Sequence, residues 1–242
     1  MGSGIGVSCG DMKSSSEVER ITQVYQQYQT SKWDEAQPGN RAMLQERQAR
    51  LQRLLQQQGY WPLADKEILD VGCGSGKTLA QFVAWGADPS HLVGVDLLPD
   101  RVALARHHHP AITFQQANAE RLDFENGRFH LILTFTVFSS ILDASMRHNI
   151  AAELNRVLRP GGSLVWYDFR FNNPRNPHVR GVKKQQIQAL FPDLTLTCQS
   201  LTLLPMLARR FGRFTPTVYP LLARFVWLHT HYLGLLQKPK EP

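Results

Sequence analysis

Residues 67–77 read Glu-Ile-Leu-Asp-Val-Gly-Cys-Gly-Ser-Gly-Lys, and no other stretch limits the possible folds as tightly. Ile68, Leu69 and Val71 make the apolar run of a short buried strand, interrupted by Asp70 near its end. Gly72, Gly74 and Gly76 follow at every second position. A residue without a Cβ reaches positive φ and lets a bound molecule approach the backbone, at an entropic cost that something must offset. Beyond Gly76, Thr78, Leu79, Phe82 and Val83 recur at helical spacing. Strand, glycine turn and helix in that order form a small-molecule cradle at the carboxyl edge of a parallel sheet.

Two common ligands of such a turn are disfavoured by spacing. A phosphate-binding loop needs a glycine five residues before that of Gly76-Lys77-Thr78, and that position is Val71. The dinucleotide fingerprint has its third glycine three residues after the second, where this chain has the bulky Lys77. A ligand without a pyrophosphate remains. The run ILDVGCGSG resembles the first motif of class I S-adenosylmethionine-dependent methyltransferases. The resemblance implies an α/β fold with a Rossmann-like seven-stranded sheet, mostly parallel with an antiparallel last strand, and helices on both faces. It also implies S-adenosylmethionine as cofactor, with S-adenosylhomocysteine as product, held by Asp70, Gly72, Cys73, Gly74 and Gly76.

The second strand, His91-Leu-Val-Gly-Val-Asp96, is apolar and ends in an acid twenty positions beyond Gly76. An acid at that strand tip can accept both hydroxyl hydrogens of a ribose, and the resemblance gives Asp96 the same task, with Leu97 beside it. A third strand, Ile112 to Ala117, leads into Asn118-Ala119-Glu120. Here the resemblance implies that the Asn118 side chain meets the adenine amino group and the Ala119 backbone a ring nitrogen, against a plain Asx turn. A fourth strand, Phe129 to Thr134, carries His130 where many relatives have Asp, which favours a structural role for that histidine. Thr136 and Val137, just past its tip, are expected to flank the cofactor. Leu-Arg-Pro-Gly-Gly at 158–162 resembles a late motif of the family and precedes the fifth strand, Ser163 to Asp168. Sixth and seventh strands are expected at Leu194 to Leu204 and His231 to Gln237, and the resemblance implies that the last is inserted antiparallel between the fifth and sixth.

At 242 residues the chain accommodates one substantial α/β domain with insertions. Residues 1–15 are expected to be frayed, 16–60 to form a helical cap or lid, 61–204 the cofactor-binding core, and 205–242 a substrate roof and final strand of the same domain. In the cap, Tyr25, Tyr28 and Trp33 either pack against the sheet or close over the cofactor; Tyr28, at the helix end, is the preferred cofactor contact. Residues 205–230 mix apolar and basic side chains. They are expected to roof an apolar pocket, with a weak membrane-surface contact or a dimer contact as competing readings. Monomer and homodimer are both open.

The absence of an apolar signal core at the start, of a membrane-length apolar run and of paired cysteines favours a cytoplasmic setting. The net charge of +7 raises a nucleic-acid partner, but the basic residues are spread out and belong to no recognisable module, so no stable nucleic-acid complex is expected. No metal is expected either: His107, His108 and His109 diverge on a helix end, and no Asp, Glu or Cys completes a site.

Methyl transfer from a sulfonium is an in-line displacement in which positioning supplies much of the rate, so acid–base machinery is needed only when the acceptor carries a proton. The candidates near the strand tips are Asp168, His178 and Asp143. Asp143 is equally suited to capping the next helix, and His148 suits a surface position. The acceptor is expected to be a small, partly apolar metabolite or natural product methylated at oxygen. RNA or protein methylation and a non-catalytic scaffold on the same fold are the alternatives, the last opposed by the intact Gly72, Gly74, Gly76 and Asp96.

Overall fold

The computed structural model describes residues 9–27, 34–174 and 176–240. Seven strands form one sheet: β1 (Ile68–Val71), β2 (Leu92–Asp96), β3 (Thr113–Gln116), β4 (Phe129–Phe135), β5 (Leu158–Phe169), β6 (Thr195–Leu203) and β7 (His229–Gln237). Their spatial order is β3-β2-β1-β4-β5-β7-β6. The pairings among β1 to β5 are parallel, and β7 is antiparallel to both β5 and β6. The carboxyl ends of six strands therefore share one edge. β1 is buried along its whole length, which is why its sequence is apolar rather than alternating.

Helices α3 (Lys77–Ala84), α4 (Pro99–His108), α5 (Ala144–Val157) and α6 (Lys184–Leu190) follow β1, β2, β4 and β5 in turn. Successive strand residues point to opposite faces, so two cores result. Ile68, Leu131 and Leu133 pack with Leu79 and Phe82 of α3 and Val102 of α4. Leu69, Val71 and Ile132 pack with Ile150 and Leu154 of α5 and Ile187 of α6.

The two amino-terminal helices do not form a single cap. Helix α1 (Cys9–Gln26) reaches back into the stretch expected to be frayed, and its Val18 and Ile21 pack on the α5–α6 face. Helix α2 (Pro38–Gln57) buries Leu51, Leu54 and Leu55 on the opposite face, with α3 and α4. It starts at Pro38 because Gln37 caps it, accepting from the Asn40 N–H, and Pro38 occupies its first turn. Strand β5 also begins early, at Leu158, which pairs with Phe129; the ladder shifts register across Arg159-Pro-Gly-Gly162 and resumes at Ser163.

Between β6 and β7 lie α7 (Pro205–Ala208) and α8 (Thr215–Leu222). Leu203, Ala208 and Tyr219 pack on Met43 of α2. A Cβ at Gly39 would sit 2.3 Å from the Ala208 carbonyl oxygen, so only glycine lets α2 approach α7 this closely. The expected pocket roof does not form: Met206, Phe214, Leu221, Phe225, Val226 and Trp227 are exposed.

Candidate active site

The turn after β1 is built as its glycines require. Gly72 has φ 71° and Gly74 φ 55°, a region open to glycine at little cost. The N–H groups of Gly72 and Cys73 donate to the Val95 carbonyl at 2.8 and 3.0 Å. Asp96, at the tip of β2, accepts from the Gly74 N–H at 2.9 Å through Oδ2 and from the Leu98 N–H at 3.0 Å through Oδ1. A carboxylate has about four acceptor directions, so two remain to receive a ligand's hydroxyls.

These residues border a cavity of about 250 Å³ at the carboxyl edge of the sheet. Of the residues expected to bind cofactor, Gly72, Gly74, Asp96, Leu97, Asn118, Ala119, Thr136 and Val137 line it. Asn118 also makes the Asx turn that competed with its adenine role: its Oδ1 accepts from the Glu120 N–H at 3.1 Å and its amide donates to the Glu120 carboxylate at 3.0 Å. Oδ1 keeps a second lone pair, so turn and ligand contact are compatible.

The third wall is the loop between β4 and α5. Thr136 is held at φ 58°, costly for a residue with a Cβ, by its N–H donating to the Tyr167 carbonyl at 2.7 Å. Ser140 Oγ donates to the Thr136 carbonyl at 2.7 Å and shares a hydrogen bond with the Tyr25 hydroxyl. Ile21 and Tyr25 of α1 close that side of the cavity, with Met146 and Ile150 of α5. Tyr28 lies outside the described residues. Ile21 and Tyr25 stand four apart on one helix face, the spacing that could have singled them out. Glu17 ties α1 down: it pairs with Arg20 at 2.7 Å and accepts from the N–H groups of Leu142 and Asp143. Burial alone would raise the Glu17 carboxyl, but Arg20 and those N–H groups outweigh it and hold it below the usual range.

Asp70, Cys73 and Gly76 lie beneath or beside the turn and do not line the cavity. Asp70 is buried, its Oδ2 has no hydrogen-bond partner, and burial, helped by the Asp96 charge and opposed by Arg47, pushes its carboxyl up to about 8. Burial, with Asp70 and Asp96, raises the Cys73 thiol, so it is no thiolate nucleophile. Gly76 is a packing position, since a Cβ there would stand 2.6 Å from the Phe114 ring.

None of the three expected catalytic groups lines the cavity. Asp143 caps α5, accepting from the Met146 N–H at 2.8 Å. Asp168 is fully buried and accepts from the Ser139 N–H at 3.1 Å and the Trp166 indole N–H at 2.8 Å, so it supports the loop from below. Burial pushes its carboxyl up to about 7, against those hydrogen bonds and Arg147. His178 is exposed on the loop after β5, its own N–H bonded to Asn176. His130 sits near the amino end of β4, its Nδ1 accepting from the Glu67 N–H at 3.1 Å, in the structural role expected.

Beside the cavity, residues not singled out from sequence make an aromatic ledge. Phe135, which lines the cavity, meets Tyr167 edge-on at 5.8 Å, and the Arg47 guanidinium lies 5.1 Å over the first ring and 5.3 Å over the second. Among the described residues Arg47 forms no ion pair. His231 stacks on Tyr167 at 4.7 Å, and burial, with Arg47, lowers its imidazole to about 3, so it stays neutral.

Sheet order, glycine turn and acid-tipped β2 together make the Rossmann-like fold that the methyltransferase resemblance implies. Residues 68–162 match the family model described as a methyltransferase domain. The phthiotriol/phenolphthiotriol dimycocerosates methyltransferase of Mycobacterium leprae is 34% identical over 117 residues, 46% of this chain and 40% of that relative. The chain thus spans less than half the length of the curated relatives it matches. Among solved structures, a SAM-dependent methyltransferase from Archaeoglobus fulgidus superposes with TM-score 0.57 at 13% identity, covering 80% of this chain and 94% of that one. The [4+2]-cyclase SpnF does so with TM-score 0.56 at 17% identity, covering 78% and 81%. One fold thus carries different reactions, and the acceptor must be argued from the site.

Proposed function

We propose that the protein transfers a methyl group from S-adenosylmethionine to an oxygen of a small, partly apolar acceptor. The observation that carries this reading is the acid beside the glycine turn: Asp96 lines the cavity and keeps acceptor capacity for a ribose. Asn118, with the Ala119 backbone, suits adenine, and Gly72 and Gly74 leave room for backbone approach. When bound, the cofactor supplies an electrophilic methyl on a positively charged sulfur. The chain's own part is to orient and to exclude water, with Ile21 and Tyr25 over one side and Phe135 on the other.

Among the described residues the cavity lining includes no histidine or lysine, and Asp143, Asp168 and His178 do not line it. An acceptor whose oxygen is already ionised, a carboxylate or an acidic phenol, needs no base. The Arg47 guanidinium above the Phe135–Tyr167 ledge suits such an anion.

Calorimetry with S-adenosylmethionine tests the cofactor assignment. Binding is expected, and Asp96→Ala is expected to weaken it by about 1–3 kcal/mol through lost charge-assisted hydrogen bonds. Absence of binding, or an unchanged affinity in Asp96→Ala, refutes the assignment. A gain of one methyl group on carboxylic acids or phenols, against alcohols and amines, tests the acceptor class.

A further inference from the structure

From Leu204 to Leu228 the chain crosses the outer end of the sheet's carboxyl edge, packing Leu207, Tyr219 and Leu222 inward and turning most of its other large apolar side chains outward. Trp227 is 74% exposed and Met206 68%, and Phe214, Leu221, Phe225 and Val226 are exposed beside them in sequence. Isolated exposed apolar residues are ordinary, but a concentration within two dozen residues marks an interaction surface. Phe171 joins it: Arg170, 5.0 Å over the Phe171 ring, donates to the Val226 and His229 carbonyls. Interleaved with the apolar groups are the exposed Arg210, Arg213 and Arg224, none of which forms an ion pair among the described residues. From Leu194 to Lys240 the sequence contains no aspartate or glutamate.

We propose that this face docks on an anionic phospholipid bilayer. Charge decides against a second copy of the chain. A two-fold contact would set the same arginines against each other with no carboxylate in the segment to relieve them. A lipid surface supplies what both kinds of side chain lack: phosphates for guanidinium forks, and an interfacial layer for tryptophan and phenylalanine. The docking is peripheral, since no described helix is long and apolar enough to cross a membrane. β6 runs in the same direction as β5, so its carboxyl end and the docking face lie on the edge that holds the cavity. The docked protein therefore turns its cavity edge toward the bilayer, where a membrane-dissolved acceptor would be met.

The test is co-sedimentation of the full chain with vesicles of phosphatidylcholine alone and of phosphatidylcholine carrying about one-quarter phosphatidylglycerol. Binding to the anionic vesicles only, weakened by salt, is expected. Each of Arg210→Gln, Arg213→Gln and Arg224→Gln is expected to lower it about fivefold. Phe225→Ser with Trp227→Ser is expected to abolish it, with the circular dichroism and the thermal transition of the chain unchanged. Failure to sediment with either vesicle overturns the proposal, as does binding that all these variants retain. A solution dimer that Trp227→Ser dissociates overturns it in favour of a second copy.

Discussion

Two loops at the tips of adjacent strands line the same cavity and are held in opposite ways. The β1–α3 turn is shaped from within: Gly72 and Gly74 take positive φ without strain, and Asp96, from the next strand, accepts from Gly74. The β4–α5 loop has no glycine, and its Thr136 sits at positive φ because distant groups hold it there. Asp168 accepts from Ser139 from below, and Glu17 accepts from Leu142 and Asp143 from the α1 side. A loop that carries its own conformation tolerates loss of a neighbour; a loop held by borrowed contacts does not.

Removing the buried support breaks that contrast most severely. Asp168→Ala leaves the Trp166 indole N–H and the Ser139 N–H without acceptors in a buried site, each at about 1–3 kcal/mol, so unfolding in urea should show a loss of about 2–6 kcal/mol. Asp168→Asn keeps one acceptor and removes the titration. The Asp168 carboxyl is raised to about 7 in the folded protein, so its contribution is full below the unfolded value near 4 and is lost as pH rises through 7. The wild type should therefore lose stability relative to Asp168→Asn across that window, and a pH-independent difference would mean that Asp168 does not titrate there.

The first turn is broken by adding atoms. Gly72→Ala forces an alanine to φ 71°, at about 1–2 kcal/mol, and puts its Cβ 3.1 Å from Val137 Cγ2. Thr136→Gly relieves a comparable strain but gives up about 0.5–1 kcal/mol of backbone entropy, so it should shift stability by under about 1 kcal/mol. Thermal unfolding of the two variants side by side measures the asymmetry. Equal losses would show that both loops depend on their own residues.

The same division explains what could be read from the sequence. The strands, the glycine turn and the acid ending β2 are legible because each rests on residues adjacent in sequence: an apolar run, a glycine repeat, a polar tip; the order of the strands comes only with the family resemblance that those motifs carry. Asp168 looked like a base because it ends β5 at the right edge, and only the packing of Trp166 and Ser139 around it reveals a buried acceptor. Tyr25 lay on the apolar stripe of α1, and a stripe marks a buried face without saying whether a cavity or a core lies behind it. Arg47 is one of many polar residues along α2; its place over Phe135 and Tyr167 follows from which sheet face that helix covers. The segment after β6 failed for a related reason, since an apolar sequence marks burial against something and does not name the partner.

The mildest intervention sharpens the comparison by loosening the borrowed loop from outside. Glu17→Gln keeps a side chain of the same shape but loses the ion pair with Arg20 and the charge on its bonds to Leu142 and Asp143, a local cost of about 1 kcal/mol. Exchange of the Leu142 and Asp143 amide hydrogens should quicken about fivefold in this variant, while those of Gly72 and Cys73, bonded to Val95, stay as they are. The wild type should reproduce the effect in acid. The Glu17 carboxyl is depressed in the folded protein, so its contribution is present above the unfolded value near 4.5 and fades as pH falls through the folded one. Exchange that quickened in both loops together would show that α1 holds the whole cavity and not one wall of it.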